Sequence, residues 1–511
     1  MSMGRTSAVA LFGLAGSLVD VEAHTSNGLP AFVLIGLPDA ALNEARDRVR
    51  AALATSGCEF PRQRLTVNLS PASLPKHGSA FDLAIAIAVL VASGSVGPAS
   101  VHRVVHLGEL GLDGRLRPVA GILPSVLAAR GAGATTVMVP AGNAGEAALV
   151  PGVRVVPVAS LRDAAIWHGG AFDAVGVEPV MPPAAQEQDR VEPELADVIG
   201  NSDAVEALQV AAAGGHHVFL LGPPGAGKTM LAARLPGILP DLEADAALEA
   251  SSIRSLSGVP VSGSLLRRPP FEAPHHTSSA ASIVGAGSGI IRPGAAVRAC
   301  HGVLFMDEAP EFATSALDAL RQPLESGQVS IHRASAVARF PARFQLVLAA
   351  NPCPCGQYGA RDSECVCPPA SRRRYLARLS GPLLDRIDIQ LRVARISSAH
   401  VRLDTEARHT TTAAARARVT EARAATATRL RGTPWTLNSQ VPGPWLRGSQ
   451  ARLGPSTTAA IDRALERGGL TMRGYDRVLR LAWTISDLDG TDRPGADQLG
   501  RALYLRRAIS V

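Results

Sequence analysis

The chain has 511 residues, of which 46% are hydrophobic, and a formal net charge of +7. This length exceeds what one hydrophobic core normally supports, so we expect two or three domains. No stretch of about 18 uncharged apolar residues occurs, which argues against a membrane-spanning helix, and the N-terminus lacks the pattern of a signal peptide. We therefore expect a cytoplasmic protein without a membrane partner.

The charge is unevenly distributed. Residues 371–511 carry 25 arginines against 12 acidic residues, a net charge of +13, so the remainder has a net charge of −6. A basic C-terminal third indicates a polyanionic partner such as nucleic acid, or else a solvated, arginine-rich helical surface. Composition alone does not separate these two interpretations.

The first segment, residues 1–171, alternates strand-like and helical patterns, which predicts an α+β domain. Strands are predicted at Thr66–Leu69 and Val137–Val139, and helices at Asp39–Thr55 and Phe81–Ala92. Residues 172–193 are rich in proline and acidic residues, a composition typical of a linker.

The rest of the chain is predicted to form a core and a smaller helical domain. Residues 194–396 alternate strands and helices around phosphate-binding motifs, which predicts an α/β domain with a parallel sheet. Residues 397–511 are rich in Ala and Arg with helical periodicity, interrupted near Gly432–Pro444. The predicted fold class is therefore multidomain α/β with a helical C-terminal domain.

A glycine loop follows a short apolar strand, Val218–Leu221, and precedes a helical pattern. This strand–loop–helix context is the one that a P-loop requires, and its backbone N–H groups would bind the phosphates of ATP. Lys228 would neutralise the β- and γ-phosphates, and the Thr229 hydroxyl would bind Mg²⁺. The predicted nucleotide-binding residues are Gly222, Pro223, Pro224, Gly225, Ala226, Gly227, Lys228 and Thr229.

Two further apolar strands end in polar residues that suit ATP hydrolysis. Gly302–Met306 is followed by Asp307, predicted to hold Mg²⁺ through water, and by Glu308, predicted to polarise the attacking water. Another strand ends at Asn351, whose amide could sense the γ-phosphate and orient the same water.

Four cysteines follow this asparagine closely: Cys353, Cys355, Cys365 and Cys367. Two pairs of thiolates can complete a tetrahedral zinc site. The one-residue spacers are shorter than usual for zinc, so reduced structural cysteines or a redox pair remain alternatives.

Two arginines are candidates for stabilising charge on the γ-phosphate in the transition state. Arg386 precedes a strand-like run, and Arg473 lies at the start of a predicted helix. The chain contains 49 arginines, so residue type alone favours a surface role for both.

The ordered set of P-loop, Asp-Glu strand, asparagine and Leu-Leu-Asp-Arg resembles the AAA+ ATPases and, within them, the ComM/YifB family of the magnesium-chelatase-like branch. Further phrases carry the resemblance over nearly the whole chain: Asn68-Leu-Ser-Pro-Ala-Ser-Leu-Pro-Lys-His-Gly-Ser, Phe271-Glu-Ala-Pro-His-His-Thr, Arg292-Pro-Gly and Asn351-Pro-Cys-Pro-Cys-Gly. The resemblance implies a homo-hexameric ring that binds ATP between subunits, with Arg386 as the finger acting in trans and Arg473 as the second sensor.

The same resemblance implies contacts with DNA in the ring pore. An insert, residues 251–298, and a hairpin, residues 327–340, would face the pore, with Ile331, His332 and Arg333 near the hairpin tip. An ordinary surface hairpin remains the alternative. For the paired histidines 275 and 276 within the insert we expect polar contacts inside the insert rather than a metal, because we expect no carboxylate partner nearby.

Residues 1–171 resemble the Lon-protease-like domain, but without its catalytic pair. Leu123 stands where the lysine of active enzymes is expected, and the serine position near Ser79 is equally unconvincing. A nucleophile without a base is not a protease. The remaining role expected for Lys76 is a nucleic-acid contact or subunit packing.

These features favour a DNA-translocating motor that uses ATP and Mg²⁺, similar to branch-migration helicases of recombination and natural transformation. A metal-chelatase motor subunit and a motor that remodels protein are the alternatives. The domain at the N-terminus and the cysteine cluster argue against a dedicated chelatase subunit.

Overall fold

The computed structural model describes residues 2–36, 40–58, 60–74, 76, 78–183, 192–261, 263–286, 291–332, 337–359, 365–396 and 409–506. Within these ranges, no helix is both long and apolar enough to cross a bilayer.

The N-terminal part is built on a seven-stranded sheet of order β3-β4-β2-β1-β5-β8-β9. The seven strands are β1 (Met3–Phe12), β2 (Ala15–Ser26), β3 (Ala31–Ile35), β4 (Arg64–Ser70), β5 (Val104–His106), β8 (Thr136–Pro140) and β9 (Arg154–Val158). Strands β6 (Glu109–Leu110) and β7 (Leu116–Arg117) form a separate antiparallel pair. Its helices are α1 (Ala40–Thr55), α2 (Asp82–Ala92), α3 (Pro98–Val101), α4 (Ile122–Gly131), α5 (Ala144–Ala147) and α6 (Leu161–Trp167).

Helix α2 lies at the centre of this part of the protein. Every one of its residues is buried, which explains its almost uninterrupted apolar sequence. Its one charged residue, Asp82, is paired with both Arg48 Nε (2.7 Å) and Arg48 Nη2 (3.0 Å). Burial raises the pKa of Asp82 to about 6, although this arginine opposes the shift.

The central part contains a five-stranded parallel sheet of order β11-β14-β17-β10-β18. The strands of this part are β10 (Val218–Leu221), β11 (Phe271–Glu272), β12 (Gly285–Ala286), β13 (Arg292–Pro293), β14 (Val303–Met306), β15 (Gln328–His332), β16 (Val337–Pro341), β17 (Gln345–Ala350) and β18 (Ile389–Arg392). Its helices are α7 (Ser202–Gly214), α8 (Lys228–Ile238), α9 (Ala244–Leu256), α10 (Ala280–Val284), α11 (Ala295–Arg298), α12 (Thr314–Ala319), α13 (Arg321–Ser326), α14 (Pro369–Leu376) and α15 (Gly381–Leu384).

The three central strands β10, β14 and β17 are buried at every position, so their sequences are continuously apolar rather than alternating. The carboxyl ends of parallel strands meet at one edge of a sheet, and ligands bind there in open α/β sheets. This edge carries the P-loop after β10, the acidic pair after β14 and the asparagine after β17.

The C-terminal part is helical, as predicted. It comprises α16 (Thr412–Arg429), α17 (Gly443–Leu446), α18 (Pro455–Glu466), α19 (Met472–Leu488) and α20 (Ala496–Leu505). Helices α16 and α19 are capped by threonine hydroxyls: Thr411 accepts from the N–H of Ala414 and Thr471 from the N–H of Gly474. One continuous apolar core joins these helices to α7, α8 and the central sheet.

Among the described residues, contacts between the N-terminal part and the central part include one at α9 and one at β16. The N–H of Gly121 donates to the carbonyl of Ser255 at 3.0 Å, which joins α4 to α9. At the tight turn between β1 and β2, Gly13 has a φ of +68° and lies against the Arg339 carbonyl, where a Cβ atom would come within 2.8 Å of the oxygen. A glycine is required there by both its conformation and its surroundings.

Candidate functional site

The P-loop connects β10 to α8 in the predicted manner. Gly225 and Gly227 have φ angles of +76° and +87°, which L-residues rarely adopt. Helix α8 starts at Lys228 and has no side-chain cap, so its first N–H groups are available to an anion. Gly222, the first residue of the loop, cannot carry a side chain because a Cβ atom there would approach the Val393 carbonyl oxygen to 2.3 Å.

The lysine of the loop contacts the strand that ends in the predicted sensor. Lys228 Nζ donates to Asn351 Oδ1 at 3.0 Å, and to the carbonyls of Gly222 (2.7 Å) and Pro223 (3.1 Å). The register of β10 and β17 explains this proximity, since Leu221 pairs with Ala350 and the next residues are neighbours. Burial lowers the pKa of Lys228, although the two acidic residues after β14 oppose the shift.

The two predicted magnesium ligands also lie together. Thr229 Oγ1 donates to Asp307 Oδ2 at 2.6 Å, across 78 positions of sequence. The other carboxylate oxygen of Asp307 accepts from the N–H of Glu308 at 2.9 Å. Glu308 has a φ of +50°, a left-handed conformation that is uncommon for a residue with a side chain and is typical of functional sites.

These residues fit Mg²⁺ and a triphosphate. A hydroxyl and a carboxylate are oxygen ligands of the kind that Mg²⁺ prefers, while the uncapped helix, the left-handed glycines and the ammonium group of the buried Lys228 together suit bound phosphates. The single edge of the sheet brings together Lys228, Thr229, Asp307, Glu308 and Asn351.

The expectation that the paired histidines lack a carboxylate partner is wrong. His276 Nδ1 lies 3.3 Å from Glu308 Oε2, and the rings of His275 and His276 are tilted by 33° with centroids 4.1 Å apart. The contact arises because β11, at the start of the same segment, pairs with β14 and leads the chain back toward the acidic residues. The sequence does not predict this contact, because Glu308 is distant from His276 along the chain and the two residues of β11 are too few to form a recognisable strand pattern.

Arg386 and Arg473 lie near each other and away from the P-loop of their own chain. Arg386 precedes β18, whose first residue, Ile389, pairs with the first residue of β10, so it lies at the opposite edge of the sheet. It forms an ion pair with Glu325 and donates to the Pro382 carbonyl at 2.5 Å. Arg473 lies 3.8 Å from the carboxylate of neighbouring Asp385 and is 81% exposed.

A buried polar network holds the segment that carries Arg386. Arg477 donates to the carbonyl of Arg386 at 3.2 Å and forms an ion pair with Asp388. Asp388 also pairs with His216 Nδ1 at 3.0 Å, and His216 Nε2 lies 2.8 Å from Thr484 Oγ1. No pattern in the sequence predicts this network, which joins the segment before β18 to α19.

The four clustered cysteines come together as the zinc hypothesis requires. Their sulfur atoms all lie within 4.8 Å of one another, with Cys353–Cys355 at 3.3 Å and Cys365 at 3.7 Å from both. Zinc–sulfur bonds of about 2.3 Å correspond to sulfur–sulfur separations of about 3.8 Å in a tetrahedron. The spacing therefore fits four thiolates around one zinc ion, with Cys367 as the fourth.

The sulfur atoms differ in their ionisation. Burial raises the pKa of Cys353 to about 12, whereas the backbone N–H of Gln357 lowers the pKa of Cys355 to about 6. A thiolate at Cys355 would give a metal a first anionic ligand at neutral pH.

The predicted hairpin is present as β15 and β16, with Ile331 paired to Ala338 and His332 to Val337. His332 is exposed. Ile331 is partly buried against the apolar core. Arg333 lies outside the described residues.

Many of the C-terminal arginines have partners within the chain, which supports a structural role for these residues. Arg423 is partly buried and donates to the Ala212 carbonyl, while Arg429 pairs with Asp487 in the helical core. Ion pairs of the same kind involve Arg416, Arg418, Arg447, Arg477 and Arg501. Net charge therefore overstates how much of this region is free to bind a polyanion.

The suggested nucleic-acid contact at Lys76 is wrong. Lys76 is fully buried, and its ammonium group donates to the carbonyls of Gly36 (2.9 Å), Leu69 (2.9 Å) and Pro71 (2.5 Å). Leu123, at the position of the Lon lysine, is also buried.

Comparison with known proteins places this geometry in a family. The family model described as magnesium chelatase, subunit ChlI, matches residues 194–401, and two further models of the same subunit match residues 21–143 and 409–506. An uncharacterized protein of Mycobacterium tuberculosis is 48% identical over 99% of both chains. Competence protein ComM of Haemophilus influenzae is 39% identical over 100% of this chain and 98% of that protein.

Two other similarities complete the comparison. The uncharacterized protein YifB of Escherichia coli is 38% identical over 99% of this chain and 97% of its own length. The Lon protease of Mycolicibacterium smegmatis is 29% identical over 146 residues, which are 27% of this chain and 18% of that enzyme. The chain therefore belongs to the ComM/YifB family of magnesium-chelatase-like AAA+ proteins.

Proposed function

We propose that this protein is an ATP-hydrolysing motor that forms a hexameric ring and moves DNA, as a branch-migration helicase or translocase in recombination or natural transformation. The observation that carries the ATPase part is the convergence of Lys228, Thr229, Asp307 and Asn351 at one sheet edge, with contacts of 2.6 Å and 3.0 Å. We also propose the division into residues 1–171, 172–193, 194–396 and 397–511.

Each residue at this edge has one role in the proposed reaction. The loop N–H groups and Lys228 bind the phosphates, and Lys228 exchanges its present carbonyl partners for phosphate oxygens. Thr229 and Asp307 would hold Mg²⁺, which when bound neutralises charge on the β- and γ-phosphates. Glu308 orients the attacking water and accepts its proton, while Asn351 fixes the water and the γ-phosphate in line.

The two arginines support a ring. Arg386 and Arg473 lie at the sheet edge opposite the P-loop, separated from it by the length of a four-residue strand, or about 13 Å. Neither can stabilise its own γ-phosphate from there. In a head-to-tail ring this edge of one subunit would face the P-loop of the next, so both arginines would act in trans.

The DNA part of the proposal has separate support. A relative that matches the whole chain is named a competence protein. The chain also has a net charge of +13 in residues 371–511 and an exposed His332 on a two-stranded hairpin. Pairing among the arginines reduces the weight of the charge, so we rely more on the relative and the hairpin.

We propose in addition that Cys353, Cys355, Cys365 and Cys367 bind zinc. Their sulfur–sulfur distances support this, because they are already close to those of a tetrahedral site.

The ATPase rate with forked, four-way and single-stranded DNA, measured across salt concentrations, tests the proposal. We expect stimulation by DNA that weakens steeply with salt. Lys228→Ala should abolish nucleotide binding, and Glu308→Gln should bind ATP without turning it over. Turnover retained in both variants would refute the ATPase assignment, and a normal ATPase indifferent to every DNA would favour a motor that remodels protein.

Mixing subunits tests the shared site. Arg386→Ala should abolish hydrolysis but leave ATP binding intact, and Lys228→Ala should abolish both. A mixture of the two inactive variants should recover part of the activity, because some interfaces then combine an intact P-loop with an intact arginine. No recovery in mixed rings would contradict the trans role.

A further inference from the structure

The loop that carries the first two clustered cysteines lies directly against the P-loop. Gly356 is one residue beyond Cys355 and has a φ of +78°. A Cβ atom on Gly356 would come within 2.6 Å of both Cγ and Cδ of Pro224, and within 3.8 Å of Cγ of Asn351. Since a proline ring cannot move aside as a flexible side chain can, the two loops are in close backbone contact.

The thiol cluster fixes this contact from the other side. The N–H of Gly356 donates to the carbonyl of Cys353 at 2.9 Å, and the N–H of Tyr358 donates to the Cys353 sulfur at 3.4 Å. The guanidinium of Arg372 lies 3.9 Å above the Tyr358 ring. The loop therefore turns around Cys353, and the position of its tip depends on where that sulfur is held.

The cluster is also joined to the lysine of the P-loop. Asn351 is two residues before Cys353, and its side-chain oxygen accepts from Lys228 Nζ at 3.0 Å. A metal bound by the four sulfurs would therefore restrain two neighbours of the nucleotide: the asparagine on the N-terminal side of Cys353, and Gly356 against Pro224 on the other.

We infer that the four-cysteine cluster is a metal site that sets the affinity of the P-loop for nucleotide. With zinc bound, the loop is held against Pro224 and the P-loop is preorganised. Without zinc, both loops must be ordered when nucleotide binds, and this cost lowers the affinity. The inference rests on the proposed ATP site and adds its regulation by zinc.

Thermodynamic linkage makes this coupling measurable from both sides. If zinc tightens nucleotide binding by some factor, nucleotide must tighten zinc binding by the same factor. Couplings between sites are typically about fivefold to 150-fold. We expect an effect of at least about fivefold on each affinity.

The first experiment measures metal and nucleotide separately. Reduced full-length protein should contain one zinc ion per chain by emission spectroscopy, and Cys355→Ser should lose it, while Cys58→Ala, a buried cysteine of the N-terminal part, should retain it. Removing zinc with a zinc-selective chelator in excess Mg²⁺ should weaken binding of a fluorescent ATP analogue at least about fivefold, and added zinc should restore it.

Two glycine variants separate the loop contact from the metal. Gly356→Ala should weaken nucleotide binding while zinc content stays at one per chain. Gly359→Ala is its matched control, because Gly359 has the same φ of +78° in the same loop but no described residue within 4 Å of the added methyl group. The control should bind nucleotide as the unmodified protein does, and melting temperatures will show that both variants are folded.

The outcomes are distinct. Reduced protein without zinc would overturn the metal site, and nucleotide affinity within twofold after zinc removal would overturn the coupling. Equal effects of Gly356→Ala and Gly359→Ala would overturn the contact with Pro224 as its route. A zinc-loaded protein that binds no nucleotide would instead refute the proposed ATP site, and with it the coupling.

Discussion

Substitution of Asp388 by asparagine should destabilise the protein strongly. This carboxylate is 2% exposed and accepts from Arg477 and His216. Arg480 and Arg506, both partly buried, also interact favourably with its charge. Burial raises the pKa of Asp388, but the arginine and histidine outweigh it and hold the pKa far below its usual range.

The size of the effect follows from the charges left behind. Asparagine removes the negative charge and leaves Arg477 buried without its counter-ion, and breaking a buried pair from one side costs about 3–5 kcal/mol. For a unit of a few hundred residues, 1 kcal/mol lowers the melting temperature by about 2–4 °C, so 3 kcal/mol corresponds to about 6–12 °C. Because the pKa is depressed, this stabilisation is complete above the ordinary aspartate pKa of about 3.8 and is lost only in acid.

Asp385→Asn provides the control. Asp385 lies three residues earlier, is 54% exposed and reaches only 3.8 Å from Arg473, so its loss should cost less than about 0.5 kcal/mol. Calorimetry of both variants at pH 7.5 tests the prediction. Since Arg477 also donates to the carbonyl of Arg386, Asp388→Asn should reduce ATPase activity below the melting temperature. Equal, small shifts in the two variants would refute the reasoning.

Two further predictions concern histidines. His276→Ala should lower the turnover number about tenfold to hundredfold at unchanged ATP affinity, because Glu308 loses the imidazole that holds one of its oxygens. His275→Ala should have a smaller effect, and equal losses of turnover in steady-state assays of the two variants would contradict this. Burial lowers the pKa of His301, but contacts with neighbouring Cys300 and with Glu249 outweigh it and raise the pKa to about 9. The stabilisation by His301 should therefore be complete below pH 6.5 and lost as pH rises through 9. His301→Asn is chosen because the φ of His301 is +62°, which asparagine tolerates. At pH 6 its free energy of unfolding should be up to about 3 kcal/mol lower than that of the parent, and at pH 10 the two should be equally stable.

The sequence predicted the sheet edge well because its strands are short and buried on both faces. The apolar runs 218–221 and 303–306 could be recognised as strands, and each delivers its polar residue at the carboxyl end. Because the strands are parallel, Lys228, Thr229 and Asp307 must lie at one edge of the sheet. The 2.6 Å contact between the Thr229 hydroxyl and the Asp307 carboxylate follows mainly from this topology.

Contacts made by irregular segments could not be predicted in the same way. His276 reaches Glu308 through a two-residue strand, and Lys76 is buried by carbonyls that converge from separate parts of the chain. Neither contact has a periodic pattern in the sequence. Lys76 also shows why a rare basic residue is a weak indicator of nucleic-acid binding, since three backbone carbonyls can satisfy an ammonium group as fully as phosphates can.

The position of Arg386 bears on the proposed assembly into a ring. Arg386 comes just before β18, and the P-loop comes just after the neighbouring parallel strand β10, so the two lie at opposite edges of the sheet. No side-chain rotation brings the guanidinium of Arg386 to its own P-loop. The network around Asp388 holds this segment so firmly that a large rearrangement within one subunit would leave buried charges unpaired. If Arg386 takes part in hydrolysis, the γ-phosphate it serves must belong to another subunit, and turnover must then depend on how neighbouring subunits are placed.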